Sequence, residues 1–250
     1  MKALVTAKRV VDYSVKVLPK SDGTGADIAR ARMTINPFDE IATDEAVRLK
    51  EKGAIDSVTA ISIGPAACEE ILRGCYAMGV DRAILIEREE YLAPLDVARA
   101  LAAIVDKEKP DLVIMGKQAI DDDCNQTGQM LAGLLGWPQA TFCSEIRIAD
   151  GEAECARETD RGIVRVRCRL PCVLTCDLRL NVPRRPSLPN VMKARAKTVE
   201  RMAWSALGLS EGNPPRAIRV EAPAHRAKGI KVKGVEQFID ELIQRGVWPK

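Results

Sequence analysis

The sequence predicts an α/β protein: a mostly parallel twisted sheet flanked by helices, with added antiparallel strands and an extended C-terminal arm. Three observations carry this. Four short apolar runs (2–7, 57–63, 82–87 and 112–115) alternate with amphipathic segments, the pattern of a sheet covered on both faces. After Gly136-Trp-Pro138 the pattern changes to consecutive strand-like segments, 140–148, 152–158 and 163–170. From residue 202 to 233 the chain is Pro-rich and strand-poor, more an arm than a second core.

Taken in order, KALVTA at 2–7 gives a short buried strand, and residues 8–35 read as an excursion containing a hairpin. Asn36-Pro37-Phe38-Asp39 opens a helix, with Asn36 as N-cap, Pro37 at the first helical position and acids in the first turn. That helix stays amphipathic to Gly53. The strand SVTAISI at 57–63 leads through Gly64-Pro65 to a helix that ends at Met78, capped by Gly79. RAILIE at 82–87 is the next strand, 94–107 the next helix, and Leu112–Met115 the fourth strand. A polar loop, 117–126, precedes a helix from Thr127 with Met130, Leu131, Leu134 and Leu135 at helical spacing. The strands at 152–158 and 163–170 pair across Thr159-Asp-Arg-Gly162, and Val173–Cys176 continues that ribbon. Residues 189–196 are a short helix, and 234–246 an amphipathic one with Val235, Phe238, Ile239, Leu242 and Ile243 on one side.

Composition excludes several classes. With 250 residues, 46% apolar and 29% charged, the chain is an ordinary globular protein. It has no apolar run of membrane-spanning length and opens without a signal-peptide pattern, so a cytoplasmic or otherwise reducing location is expected. The eight cysteines do not form a secreted framework; Cys168, Cys172 and Cys176 recur every four residues, but in a β-rich segment of a chain with one histidine, so buried thiols are expected and no metal. Residues 1–150 carry 18 basic and 24 acidic side chains, residues 151–250 carry 20 and 11. A basic second half without aromatic interleaving favours an acidic protein partner over nucleic acid. No G-x-x-x-x-G-K-[ST], G-x-G-x-x-G or G-x-S-x-G is present, and the lone His225 lies in a Pro/Lys-rich stretch, so no catalytic residues are expected.

The loop 116–127 is the strongest site signal. Strand, glycine, polar loop and helix N-terminus place backbone N–H groups beside a ligand at the carboxyl end of a parallel sheet. Gly116 permits close backbone approach, and Asn125, Gln126 and Thr127 supply neutral donors and acceptors. Asp121, Asp122 and Asp123 oppose a polyphosphate, with only Lys117 expected nearby; Asp123 can also be read as a helix cap. Two like charges 4 Å apart cost about 4 kcal/mol at an effective dielectric of about 20. One phosphate is therefore easier to hold there than three.

GKQAIDDDCNQTGQM at 116–130 resembles the nucleotide-binding loop of electron transfer flavoprotein beta subunits. The similarity continues through AKRVVDY at 7–13, NPFDEIA at 36–42, EAVRLKEK at 45–52 and VLTCDLRLNVPRRPSLPNVMKAR at 173–195. The resemblance implies an adenine-nucleotide alpha hydrolase-like fold, with a nucleotide-binding unit over 1–200 and an arm and helix over 201–250 that pack on a partner subunit. It implies a structural AMP held by Thr6, Asn36, Pro37, Phe38, Asp39, Ile63, Gly116, Lys117, Gln118, Ala119, Ile120, Asp121, Asp122, Asp123, Cys124, Asn125, Gln126 and Thr127. Thr6 and Ile63 depart from the residues usual in relatives, at contacts expected through backbone. FAD is implied mainly in an alpha subunit, with Tyr13 and Phe38 near its ring.

Residues 183–195 resemble the loop that docks acyl-CoA dehydrogenase-type flavoenzymes, with Leu188 as anchor among Pro189, Asn190, Val191 and Met192. Glu158 matches an acid that positions the mobile flavin domain. Electrons would pass on to a membrane quinone oxidoreductase, and the compartment would be the cytoplasm, or the mitochondrial matrix in a eukaryote. A bifurcating relative with a second FAD is the near alternative; its loop resembles Gly-Asp-Thr-Ala-Gln-Val where this chain has Asp122–Thr127. A nucleotide hydrolase lacks its phosphate loop here, since KRVVDY at 8–13 has neither glycine nor serine. A nucleotide-sensing protein is opposed by the docking-loop match.

Overall fold

The computed structural model describes residues 1–210, 212, 215 and 217–248. Among these, two compact units form: one of residues 1–17 and 27–217, the other of 18–26 and 218–250. The first unit carries the sheet. Its strands are β1 (Lys2–Thr6), the short pair β2 (Arg9–Val11) and β3 (Met33–Ile35), β4 (Ser57–Gly64), β5 (Arg82–Glu87), β6 (Leu112–Gly116), β7 (Gln139–Ala149), β8 (Glu152–Thr159), β9 (Gly162–Arg169), β10 (Cys172–Cys176) and β11 (Glu200–Ala203). Its helices are α1 (Pro37–Glu51), α2 (Glu69–Met78), α3 (Pro94–Glu108), α4 (Thr127–Leu135) and α5 (Leu188–Ala196); α6 (Val235–Gln244) belongs to the second unit.

Nine of the described strands form one sheet in the order β11-β5-β4-β1-β6-β10-β7-β8-β9, parallel from β11 to β7 and antiparallel beyond. Side chains alternate between its two faces, as the period of two requires. Ala3, Val5, Val58, Ala60, Ala83, Leu85, Leu112 and Ile114 join the core beneath α1 and α2, while Leu4, Ile61, Ile84, Ile86, Val113 and Met115 join the one beneath α3 and α4. Both sheet faces are therefore dry, which is why these strands read as unbroken apolar runs.

Two expectations are corrected. Val173–Cys176 does not continue the antiparallel ribbon: β10 runs parallel between β6 and β7. Its five residues are all buried, so two-sided burial outweighs the nearness in sequence to β9. The region from residue 200 also contributes β11, an edge strand parallel to β5, which a largely exposed ERMA segment did not announce. β7 bends at a register shift between Cys143 and Glu145, so its first half pairs with β10 and its second with β8. All eight cysteines are free thiols; seven are buried and Cys124 is exposed. No helix among the described residues is long and apolar enough to cross a membrane.

Candidate functional site

From β1 the chain builds outward to β4 and β5 on one side, then returns to place β6 on the other. That reversal opens a crevice at the carboxyl ends of β1 and β6, where open α/β sheets bind ligands. A cleft of about 420 Å³ lies there, lined by the ends of β1, β4 and β6, the β5–α3 connection, and most of residues 116–128. One wall is apolar, with Ile61, Ile63, Leu92, Val97, Leu101 and Met115; the other is the polar loop with Lys8, Arg9, Asn36 and Asp39.

The loop is pinned by side chains from distant segments. Asn36 does not cap α1 through its side chain; its carbonyl accepts the Asp39 and Glu40 N–H groups. The buried carboxamide turns instead to the loop, donating to Gln118 O at 2.8 Å and accepting from Ile120 N at 3.3 Å. Asp39 accepts the Lys8 N–H at 2.8 Å and the Gly116 N–H at 3.1 Å, clipping the ends of β1 and β6 together. Burial raises its pKa from 3.8 to about 6, although those two N–H groups favour the charged form. Gly116 is required by this clip: a Cβ there would lie 2.5 Å from Asp39 Oδ1 and 2.7 Å from Phe38 Cβ. The close approach is thus to the start of α1.

The cation facing the aspartates is Lys8, not Lys117. Lys8 Nζ donates to Asp121 at 2.8 Å and Asp122 at 3.0 Å. Burial disfavours the ammonium, yet the bonds and charges of Asp121 and Asp122 outweigh it and raise its pKa. Lys117 donates to Asp177 at 2.6 Å and lies over the rings of Phe38 and Phe142, 5.4 and 5.1 Å from their centres. Asp123 is no helix cap: it adopts φ 49 and accepts from Gln118 Nε2 at 2.7 Å. Asn125 shares φ 49, and the residue before α4 is Gln126, whose side chain makes no capping bond. The first turn of α4 lines the cleft and has no side-chain cap for its N–H groups.

Of the residues expected at the nucleotide, Thr6, Asn36, Asp39, Ile63, Gly116–Ala119, Asp121, Asp122 and Cys124–Thr127 line the cleft. Pro37, Phe38, Ile120 and Asp123 do not; they shape the loop and the α1 turn from behind. Phe38 is buried and Tyr13 is 82% exposed, so the two aromatic residues assigned to one ring lie in opposite environments. Lys8, Arg9 and the β5–α3 connection, including Tyr91 and Leu92, were not anticipated. A basic pair just past β1 was the one available signal.

The segment expected to dock a partner is mounted on α1. Arg184 pairs with the buried carboxylate of Asp44 and holds Glu51 at 2.6 and 2.9 Å. Asn181 donates to Ile41 O at 3.2 Å and Glu45 at 3.0 Å, and Arg48 donates to Val182 O at 2.8 Å. α5 then starts at Leu188, with Ser187 accepting from Asn190 N at 3.4 Å and Pro189 in the first turn. Arg73 closes the far end by donating to Arg195 O at 2.7 Å. Leu188 is 74% exposed and Met192 56%, while Val191 packs inward. Glu158 forms an ion pair with Arg179.

The family model described as an electron transfer flavoprotein domain matches residues 26–207. The chain is 48% identical over 250 residues to "Electron transfer flavoprotein subunit beta" of Homo sapiens, covering 98% of each chain. It is 47% identical to the protein of that name in Dictyostelium discoideum and 48% to that in Bradyrhizobium diazoefficiens, over 97% of each chain in both cases. Identity at this level over nearly full length, together with the matching family model, assigns the chain to the electron transfer flavoprotein beta-subunit family.

Proposed function

We propose that this chain is the beta subunit of a heterodimeric electron transfer flavoprotein of the AMP-holding, non-bifurcating type. The observation that carries the reading is the cleft at the sheet's reversal point, whose charge suits one phosphate. The α4 N–H groups are open to an anion, Arg9 lines the cleft with a buried Nε that has no hydrogen-bond partner, and Lys8 offsets Asp121 and Asp122. The apolar wall gives a base somewhere to lie. Asn125, Gln126 and Thr127 orient the phosphate end, while Asn36 and Asp39 keep the loop folded.

FAD, enclosed with an alpha subunit, supplies the one-electron chemistry. The chain's own residues bind the nucleotide, shield the flavin from the side of Tyr13, and dock the donor enzyme through Leu188. That donor is an acyl-CoA dehydrogenase-type flavoenzyme, and the acceptor a membrane quinone oxidoreductase. An exposed leucine among Arg and Lys suits such transient docking: a small apolar anchor, with charge to steer encounter. Glu158, paired with Arg179, is the charge that would meet the mobile flavin domain.

The test is cofactor content. The chain co-purified with its alpha subunit and then denatured should release one AMP and one FAD per heterodimer. Two FAD and no AMP would identify the bifurcating type instead. A chain that purifies alone, stable and free of nucleotide, would remove the whole reading.

A further inference from the structure

We infer that Lys8 is a positioning residue of the nucleotide cleft: its ammonium holds Asp121 and Asp122 folded against β1 and cancels charge that would repel a bound anion. The geometry is specific. Lys8 lies two residues past the end of β1 and 113 residues from Asp121 in sequence, yet one ammonium bonds both carboxylates, at 2.8 and 3.0 Å. All three residues line the cleft. Its backbone N–H is fixed by Asp39, so the side chain projects from an anchored point. Lys117 is engaged by Asp177 and leaves the two aspartates to Lys8. Asp122 in turn accepts the Cys124 N–H at 3.1 Å, passing the restraint along the loop towards α4.

Without that cation, two carboxylates would stand beside each other and beside the ligand's phosphate. The loop would then lose a tether and gain a repulsion. The loop-holding role stands on the geometry alone; the ligand role rests on the nucleotide reading above.

The experiment uses the heterodimer with three variants: Lys8→Met, which keeps the aliphatic stem and backbone contacts; Lys8→Arg; and Lys8→Met combined with Asp121→Asn and Asp122→Asn. AMP release is followed by chromatography, and amide exchange is measured across 118–125. In Lys8→Met, release should quicken on the order of tenfold at low ionic strength, the scale of one unbalanced charge about 10 Å from an anion. High salt should shrink that gap. Exchange across the loop should rise together with release. Lys8→Arg should return both measurements towards wild type, because it restores the cation; the triple variant should return release but not amide protection, because it removes the charge Lys8 balances without restoring the tether.

A triple variant that releases AMP as fast as Lys8→Met would overturn the inference, since direct ligand contact or simple packing would then explain Lys8. So would a Lys8→Met protein equal to wild type in both measurements. A wild type that carries no AMP would instead sink the nucleotide reading, and amide exchange would still decide whether Lys8 holds the loop.

Discussion

Asp39 looks in the sequence like an ordinary first-turn acid of α1, and the fold gives it a longer reach. Both of its oxygens are engaged, one by Lys8 N–H and one by Gly116 N–H. Its folded pKa, raised by burial to about 6 from 3.8, makes the wild type bind a proton that the unfolded chain has already released. The folded state therefore loses stability as pH rises from about 4 to about 6, and the loss is complete above that. Asp39→Asn removes this slope but turns an NH₂ group towards one of two donors, costing about 1–2 kcal/mol. Denaturant unfolding of the heterodimer should show the variant furthest below wild type near pH 4, with the gap narrowing as pH approaches 7. A gap constant across that range would contradict the buried-carboxylate account. Residue roles of this kind were poorly legible beforehand. Asn36 reads as a cap and Asp123 as another, because capping is the local use of those side chains. Their real partners, Gln118 and Ile120 for Asn36, lie 82 and 84 residues away. Lys8 escaped for the same reason: no local pattern shows a pair separated by the whole first half of the sheet.

The proposed docking segment combines an exposed tip with a fixed base. Leu188→Ala should leave heterodimer yield and FAD content intact while slowing reduction by the donor dehydrogenase roughly tenfold or more, since anchors of this kind are worth about 2 kcal/mol. Stopped-flow traces unchanged by the substitution would remove the anchor assignment. Arg184→Ala acts on the base. Asp44 would keep Arg48 at 2.7 Å but lose Arg184, at a cost of about 1–3 kcal/mol. Proteolytic cutting should then appear between 181 and 195 before the sheet unfolds; a segment as resistant as wild type would show that Arg184 is not the mount. Elements were the most readable level. β5 and the start of α3 fall where the pattern places them, because apolar runs and an N1 proline are strong local signals. β11 was hidden because an edge strand buries little and so carries little pattern. The direction of β10 was hidden too, since periodicity reports burial and not the neighbour that provides it.

At the scale of the molecule, alternating strands and helices made the doubly covered sheet legible, and its reversal between β1 and β6 could be inferred only after the strand order was known. The cleft follows from that order more than from any single motif. The basic second half of the sequence resolves into two different uses. Arg184, Arg201 and Arg167 are spent on internal ion pairs with Asp44, Glu69 and Glu154, whereas Leu188 and Met192 stand open among the remaining charges of α5. In the second unit, Val235 and Phe238 on α6 and the following Val247 and Trp248 are also exposed.

The position of β10 bears on how the chain is born. A ribosome delivers β6 by residue 116 and β7 by residue 149, but the strand that fits between them ends at Cys176. Until that point has left the exit tunnel, β6 and the first half of β7 stand as two open edges facing a gap one strand wide. Such edges invite foreign pairing. The central sheet cannot be finished in the order in which it is made, and the nascent chain must be kept from its neighbours until β10 slots home.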